Sequence, residues 1–286
     1  MFNNDDREER TRIFQDTMSL CKSSKILAET VKNSISKEKI YKESIEIEVQ
    51  GEDAKNAEIT VTKERTLQCA QRFHKENPQF KIAVHNFASA TNPGGGVTRG
   101  SSAQEEALCR CSTLYPCLDY WLMKRDFYTF HKQRNDLRYT DTCIFTPDVM
   151  VVKSDVAFPQ RLNENEWFKV DVITCAAPNL REKPYNRMNP GSAKSIRVSD
   201  MELLEIHKKR ARKILSVAVE NHEDIVILGA FGCGAFQNSP MVVAKAYNEI
   251  VAEFKNCFEK ICFAVYCPPK DSKNYDTFSR FIKTNS

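Results

Sequence analysis

Hydrophobic positions recur along this chain with two periods. Ile26, Leu27, Val31 and Ile35 fall three and four residues apart, which predicts a helix over 24–36. The stretch 4–21 before it is rich in helix formers and opens on Asp5 and Asp6, carboxylates suited to a helix start. Alternation at every second residue predicts strands in Ile45-Glu46-Ile47-Glu48-Val49 and in Ile59-Thr60-Val61. Helices over 66–73, 101–118 and 121–132 and a strand over 80–87 complete the first half. In the second half, predicted strands at 142–145, 149–152, 168–176, 225–228 and 262–267 are interspersed with predicted helices at 199–220, 240–255 and 273–283. Strands interleaved with helices argue for a layered α/β domain. The first two helices read as an N-terminal helical extension, residues 1–40. The segment 178–195 is polar and rich in Asn, Pro and Arg; it reads either as a lid or binding segment or as a tolerated surface insertion.

Composition narrows the class. With 286 residues, 41% hydrophobic and 28% charged, the chain is long enough for a sizeable core and ordinary for a globular protein. A net charge of +4 does not mark a nucleic-acid binder, though it does not repel an anionic ligand. The eleven cysteines are odd in number and show no zinc spacing, so free buried thiols in a reducing cytosol are expected. The N-terminus carries no signal-peptide pattern and no apolar run reaches the length of a membrane span, so a cytoplasmic location, or a nuclear one in a eukaryote, is expected. The five histidines show no paired ligand spacing, and no metal or cofactor is expected.

Candidate chemistry concentrates just after the predicted strand 80–87. Asn86 ends that strand, and its side chain is a candidate to bond a ribose hydroxyl. Gly94, Gly95 and Gly96 follow, a cluster of glycines in a chain that has only nine. Without Cβ atoms their backbone N–H groups can approach a diphosphate or a ribose oxygen. No Lys-Ser/Thr follows them as in a P-loop, and the dinucleotide fingerprint is missing. Gln104, Glu105 and Glu106 then open a predicted helix. Alone, two such carboxylates read as first-turn residues facing the helix dipole. Beside a glycine cradle they suggest acid chemistry on a phosphorylated sugar. Glycoside hydrolysis needs a proton donor to the leaving oxygen, and burial beside a second carboxylate raises a carboxyl pKa toward that task. A second candidate loop follows the strand 225–228: Gly232, Cys233, Gly234, Ala235, Phe236 and Asn238, with Gly229, Gly232 and Gly234 suited to an anion nest.

The pattern Gly-Gly-Gly, a short spacer and Gln-Glu-Glu, within the block from Asn86 through Leu114-Tyr115-Pro116, resembles the microbial-type branch of the poly(ADP-ribose) glycohydrolases. The stretch from Leu228 to Asn238 is similar to that branch's second ligand loop, with Ala235 where the family often has Val. The resemblance implies a macrodomain-like three-layer α/β/α fold with a mixed sheet over 41–286. It implies that Glu106 is the acid/base, that Glu105 holds ribose hydroxyls and that Gln104 orients the loop. It further implies that the second loop wraps the ADP-ribose diphosphate, with Phe236 beside the sugar of the scissile bond. The expected ligands are ADP-ribose and poly(ADP-ribose), free or attached to protein or DNA, with chain-end cleavage and no stable nucleic-acid partner. Two rivals remain: a hydrolase of mono-ADP-ribosylated protein or DNA, and a non-catalytic ADP-ribose reader, which needs both loops but not both carboxylates. The basic run Lys208, Lys209, Arg210, Arg212 and Lys213 reads as a solvated helix face. No histidine pairs locally with Cys109, Cys111 or Cys233, which argues against a thiol nucleophile.

Overall fold

The computed structural model describes residues 4–43, 55–185, 194–268 and 271–285. Two helices lead, α1 (Asn4–Ser23) and α2 (Lys25–Lys37), the second capped where Ser24 accepts from the Leu27 N–H. Among the described residues, a mixed seven-stranded sheet is built from β1 (Lys39–Tyr41), β2 (Glu58–Thr62), β3 (Ile82–Phe87), β4 (Cys143–Val151), β5 (Phe168–Cys175), β6 (Ile225–Leu228) and β7 (Lys260–Ala264), in the order β1-β4-β5-β3-β6-β7-β2. β5, β3, β6, β7 and β2 run parallel, while β4 is antiparallel to both its neighbours. The helices are α3 (Thr66–Glu76), α4 (Gln104–Cys111), α5 (Leu114–Leu118), α6 (Trp121–Met123), α7 (Phe130–Arg134), α8 (Asp200–Glu220), α9 (Pro240–Phe254) and α10 (Lys273–Phe281).

The central strands are apolar on both faces because helices cover both. Val84, Ile225 and Ile227 face one core with Phe14, Leu67, Phe73 and Leu108. Their neighbours Ala83, Val226 and Leu228 face the other with Leu215, Tyr247 and Phe263. This is the three-layer α/β/α arrangement with a mixed sheet that the sequence led us to expect. In such sheets ligands bind beyond the carboxyl ends of the parallel strands.

The structure departs from the sequence reading locally. The expected helix 101–118 is two helices: Ser112 is extended and bridges Val151 on the sheet edge. The expected helix 121–132 contains a π-helical stretch, Lys124–Thr129. The two strands expected over 142–152 are one strand with a bulge, where Asp148 takes φ 58° and its N–H reaches Asp171 at 2.7 Å. β1 is an extra edge strand that straddles the end of the segment read as extension, and the expected strand 45–49 lies outside the described residues. The basic run is not a uniform solvated face. Lys208 pairs with Glu249, and Arg212 with Glu253, across to α9; Arg210 is buried, bonding the Arg138 carbonyl and facing Asp141 at 3.4 Å. All eleven cysteines are free thiols, eight of them buried. No helix among the described residues is long and apolar enough to cross a membrane.

Candidate active site

A cleft of about 850 Å³ opens beyond the carboxyl ends of β3, β6 and β7. One wall is the glycine loop and the start of α4. Gly94 and Gly95 both have positive φ (62° and 58°), a conformation that suits glycine. Space also requires glycine here. A Cβ on Gly95 would lie 2.6 Å from Glu106 Oε1 and 3.0 Å from Glu105 Oε2. A Cβ on Gly94 would press into the Tyr115 ring at 2.7 Å, and one on Gly96 would strike the Ser101 hydroxyl. The loop is therefore wrapped directly over the two carboxylates.

Both carboxylates are buried and bonded by loop amides. Gly96 N–H donates to Glu106 Oε1 at 2.9 Å, and Ser89 N–H donates to Glu105 Oε2 at 2.7 Å. Burial first, and then the Glu106 charge, push the Glu105 carboxyl well above the usual carboxylate range, while the Ser89 amide pulls it back. Gln104 lines the cleft, and its side chain also bolts the helix start to the strand end: Oε1 accepts from Phe87 N–H (2.9 Å), and Nε2 donates to the His85 carbonyl (2.8 Å) and to Thr66 Oγ1 (3.1 Å). Asn86 is fully buried beneath, donating to Thr174 Oγ1 at 3.1 Å, with its Oδ1 unbonded. It stands beside Glu105 and eases that group's ionisation.

The opposite wall is the loop after β6. Gly232, Gly234, Ala235 and Phe236 line the cleft. Gly232 has φ 76°, and a Cβ there would press on Ala177 at 2.6 Å; at Gly234 a Cβ would meet nothing within 4 Å, so that backbone borders open space. Asn238, expected among the ligand contacts of this loop, is placed differently: it lies under the loop, joining His207 Nε2 (2.8 Å), the Pro178 carbonyl (2.7 Å) and the Phe236 carbonyl (3.1 Å). It clamps the loop to α8. Cys233 is partly buried, its thiol pKa raised by burial, and does not line the cleft. His85, behind the site against Phe87 and Phe231, is held down to about 3 by burial and acts as a neutral core ring.

Three contributions went unread in the sequence. Ser89 supplies the amide on Glu105. Tyr266, past the end of β7, carries the Arg65 guanidinium at 3.9 Å from its ring centre. Asp6 and Arg10 of α1 line the cleft. Only the last had a local signal, a charged helix start.

Residues 8–154, which include the glycine loop, Gln104, Glu105 and Glu106, match the family model of the microbial-type PARG catalytic domain. The chain belongs to that family. Its fold agrees: the poly(ADP-ribose) glycohydrolase (PARG) from Thermomonospora curvata superposes with a TM-score of 0.82 at 28% identity, over 96% of this chain and 99% of that one. The Deinococcus radiodurans PARG in complex with ADP-ribose gives 0.72 at 29% identity, over 87% and 96%. A T. curvata structure bound to the inhibitor ADP-HPD matches at 0.78. A search of curated proteins returned no match. By family this PARG chain is a glycohydrolase acting on poly(ADP-ribose). The loop after β6 lies beyond the matched segment.

Proposed function

We propose that this protein cleaves the ribose–ribose O-glycosidic bond of poly(ADP-ribose), releasing ADP-ribose, with Glu106 as general acid and base. The observation that carries this reading is the pair of buried carboxylates held against Gly95 on the cleft wall. Gly96 N–H occupies Glu106 Oε1, so Oε2 is the oxygen free to carry the proton. That proton passes to the leaving ribose oxygen as the C–O bond breaks. The sugar passes through an oxocarbenium-like state, and the Glu106 carboxylate then takes a proton from the water that adds to the anomeric carbon. Glu105 accepts hydrogen bonds from the ribose hydroxyls. The glycines of both loops offer backbone N–H groups to the ligand, those after β6 to the diphosphate, and Phe236 borders the reacting sugar.

The test is incubation with defined polymer, mono-ADP-ribosylated protein and mono-ADP-ribosylated DNA, with chromatographic detection of free ADP-ribose. Release from polymer is expected. Release only from a mono-modified substrate would assign a different linkage, and tight binding without release from any substrate would make the protein a reader.

A further inference from the structure

One turn into α3, two thiols meet across the interface between that helix and the sheet. Cys69 lies on α3 and Cys262 in β7, 193 residues apart, and Cys69 Sγ donates to Cys262 Sγ at 3.4 Å. Other thiols of the chain are occupied differently: Cys111, Cys117, Cys143, Cys233 and Cys267 donate to backbone carbonyls. Polar side chains touch both sulfurs. Thr62 Oγ1, on the neighbouring strand β2, is 3.9 Å from Cys262 Sγ. Arg72 Nη2, held by Glu64 at 2.8 Å, also donates to Cys69 Sγ at 3.7 Å.

These contacts make the two sulfurs unequal. The hydrogen bond between them holds the Cys262 thiol below the ordinary range and lifts Cys69 well above it. Both residues are buried, yet Thr62 and Arg72, which touch the sulfurs, also line a cavity of about 440 Å³. Thr60, in register with Cys262, lines it too. Rotation of the Thr62 side chain would open Cys262 to a molecule the size of hydrogen peroxide.

We propose that Cys69 and Cys262 form a redox site, which hydrogen peroxide closes to a disulfide that pins α3 to β7 and slows the enzyme. The Cys262 thiolate attacks one peroxide oxygen and the O–O bond breaks. The departing hydroxide takes a proton and leaves as water, so Cys262 becomes a sulfenic acid. The Cys69 sulfur then attacks the Cys262 sulfur, and the S–O bond breaks. The Cys69 proton goes to the hydroxide that leaves, giving a second water. The two thiols lose two electrons and the peroxide gains them. A disulfide requires the sulfurs to approach by about 1.4 Å from their present separation. Thr66, three residues before Cys69, accepts from Gln104 Nε2, and Ala264, two residues after Cys262, lines the cleft. Drawing α3 and β7 together therefore moves Gln104 at the start of the helix that carries Glu105 and Glu106. The bond itself is independent of the glycohydrolase reading; only its effect on rate rests on that reading.

The experiment treats the full chain with hydrogen peroxide, blocks the remaining thiols and maps linked peptides by mass spectrometry. Initial rates on defined polymer are measured before treatment, after it and after dithiothreitol. A Cys69–Cys262 link is expected, with turnover about tenfold slower and restored by dithiothreitol. Cys69→Ser should keep the parental rate when reduced and lose the peroxide sensitivity; Cys262→Ser does the same if Cys69→Ser fails to fold. A link between any other two cysteines, no link, a link with an unchanged rate, or an equal peroxide loss in the serine variant overturns the proposal. If the parent turns over no substrate, the catalytic reading fails by itself, and ADP-ribose affinity by calorimetry replaces the rate. Equal affinity of the oxidised and reduced proteins would then overturn the switch.

Discussion

Replacing Gly95 by alanine puts a methyl group where the loop closes over the carboxylates. Two costs follow. The backbone there has φ 58°, which disfavours a residue with a Cβ by about 1–2 kcal/mol. The methyl would also stand 2.6 Å from Glu106 Oε1 and 3.0 Å from Glu105 Oε2. Ordinary contact begins at 3.4 Å, so the Glu106 oxygen must retreat by about 0.8 Å or the loop must lift. Either movement stretches the 2.9 Å bond from Gly96 N–H. Misplacement of a reacting group by about 1 Å costs on the order of 10²-fold in rate. The folded variant should therefore melt about 2–6 °C lower, yet lose turnover far beyond what that destabilisation accounts for. Circular dichroism melts and initial rates of ADP-ribose release from defined polymer measure both quantities. A folded Gly95→Ala protein with kcat within about threefold of the parent would refute the argument that this loop fixes the carboxylates.

Gly234 is the matching control. Nothing lies within 4 Å of a Cβ there, so Gly234→Ala should leave the melting point unchanged and lower ADP-ribose affinity in calorimetry; unchanged affinity would remove this backbone from the ligand site. Phe236 packs between both cores with the Arg181 guanidinium 5.6 Å from its ring, so Phe236→Ala should cost about 1–3 kcal/mol of stability and reduce kcat more than ADP-ribose affinity. Equal losses in rate and affinity would make it only a support for the loop. Burial pushes Glu38, at the end of α2, up to about 8 despite the bond from Thr146. The native state then binds a proton that the unfolded chain releases, so this contribution to stability is full below about pH 4.5 and is lost as pH rises through about 8. Glu38→Gln should flatten that pH dependence and gain about 1–2 kcal/mol at pH 8.5 in urea titrations, while an unchanged slope would contradict the assignment.

The parallel strands and the two glycine-bearing loops after β3 and β6 were legible because they depend on short-range patterns. Ile225-Val226-Ile227-Leu228 is apolar at every position since both its faces are covered, and the glycines that follow announce a backbone needing space. What was not legible depends on partners distant in sequence. Arg210 sits in a run that looks like solvent-facing charge, yet it turns inward to a carbonyl and an aspartate some seventy residues earlier. The break at Ser112 comes from a bridge to Val151, and the bulge in β4 from Asp171; neither has a cue in its own segment. β1 has three residues, too few for a period to show. Gln104, Glu105 and Glu106, singled out by residue type and order, all line the cleft. Which loop amide holds which carboxylate, and the reach of α1 to Gly100, required the folded chain. Asn238 had suggested a ligand contact by its place in the loop, but its amide is spent on His207, Pro178 and Phe236.

The central claim is that Glu106 carries the proton. Glu106→Gln keeps shape and an acceptor for the Gly96 N–H but cannot donate and recover a proton. ADP-ribose affinity by calorimetry should stay within a few-fold of the parent, while release of ADP-ribose from defined polymer should fall by on the order of 10²–10⁴-fold. Near-parental polymer cleavage by a folded Glu106→Gln protein would contradict the account.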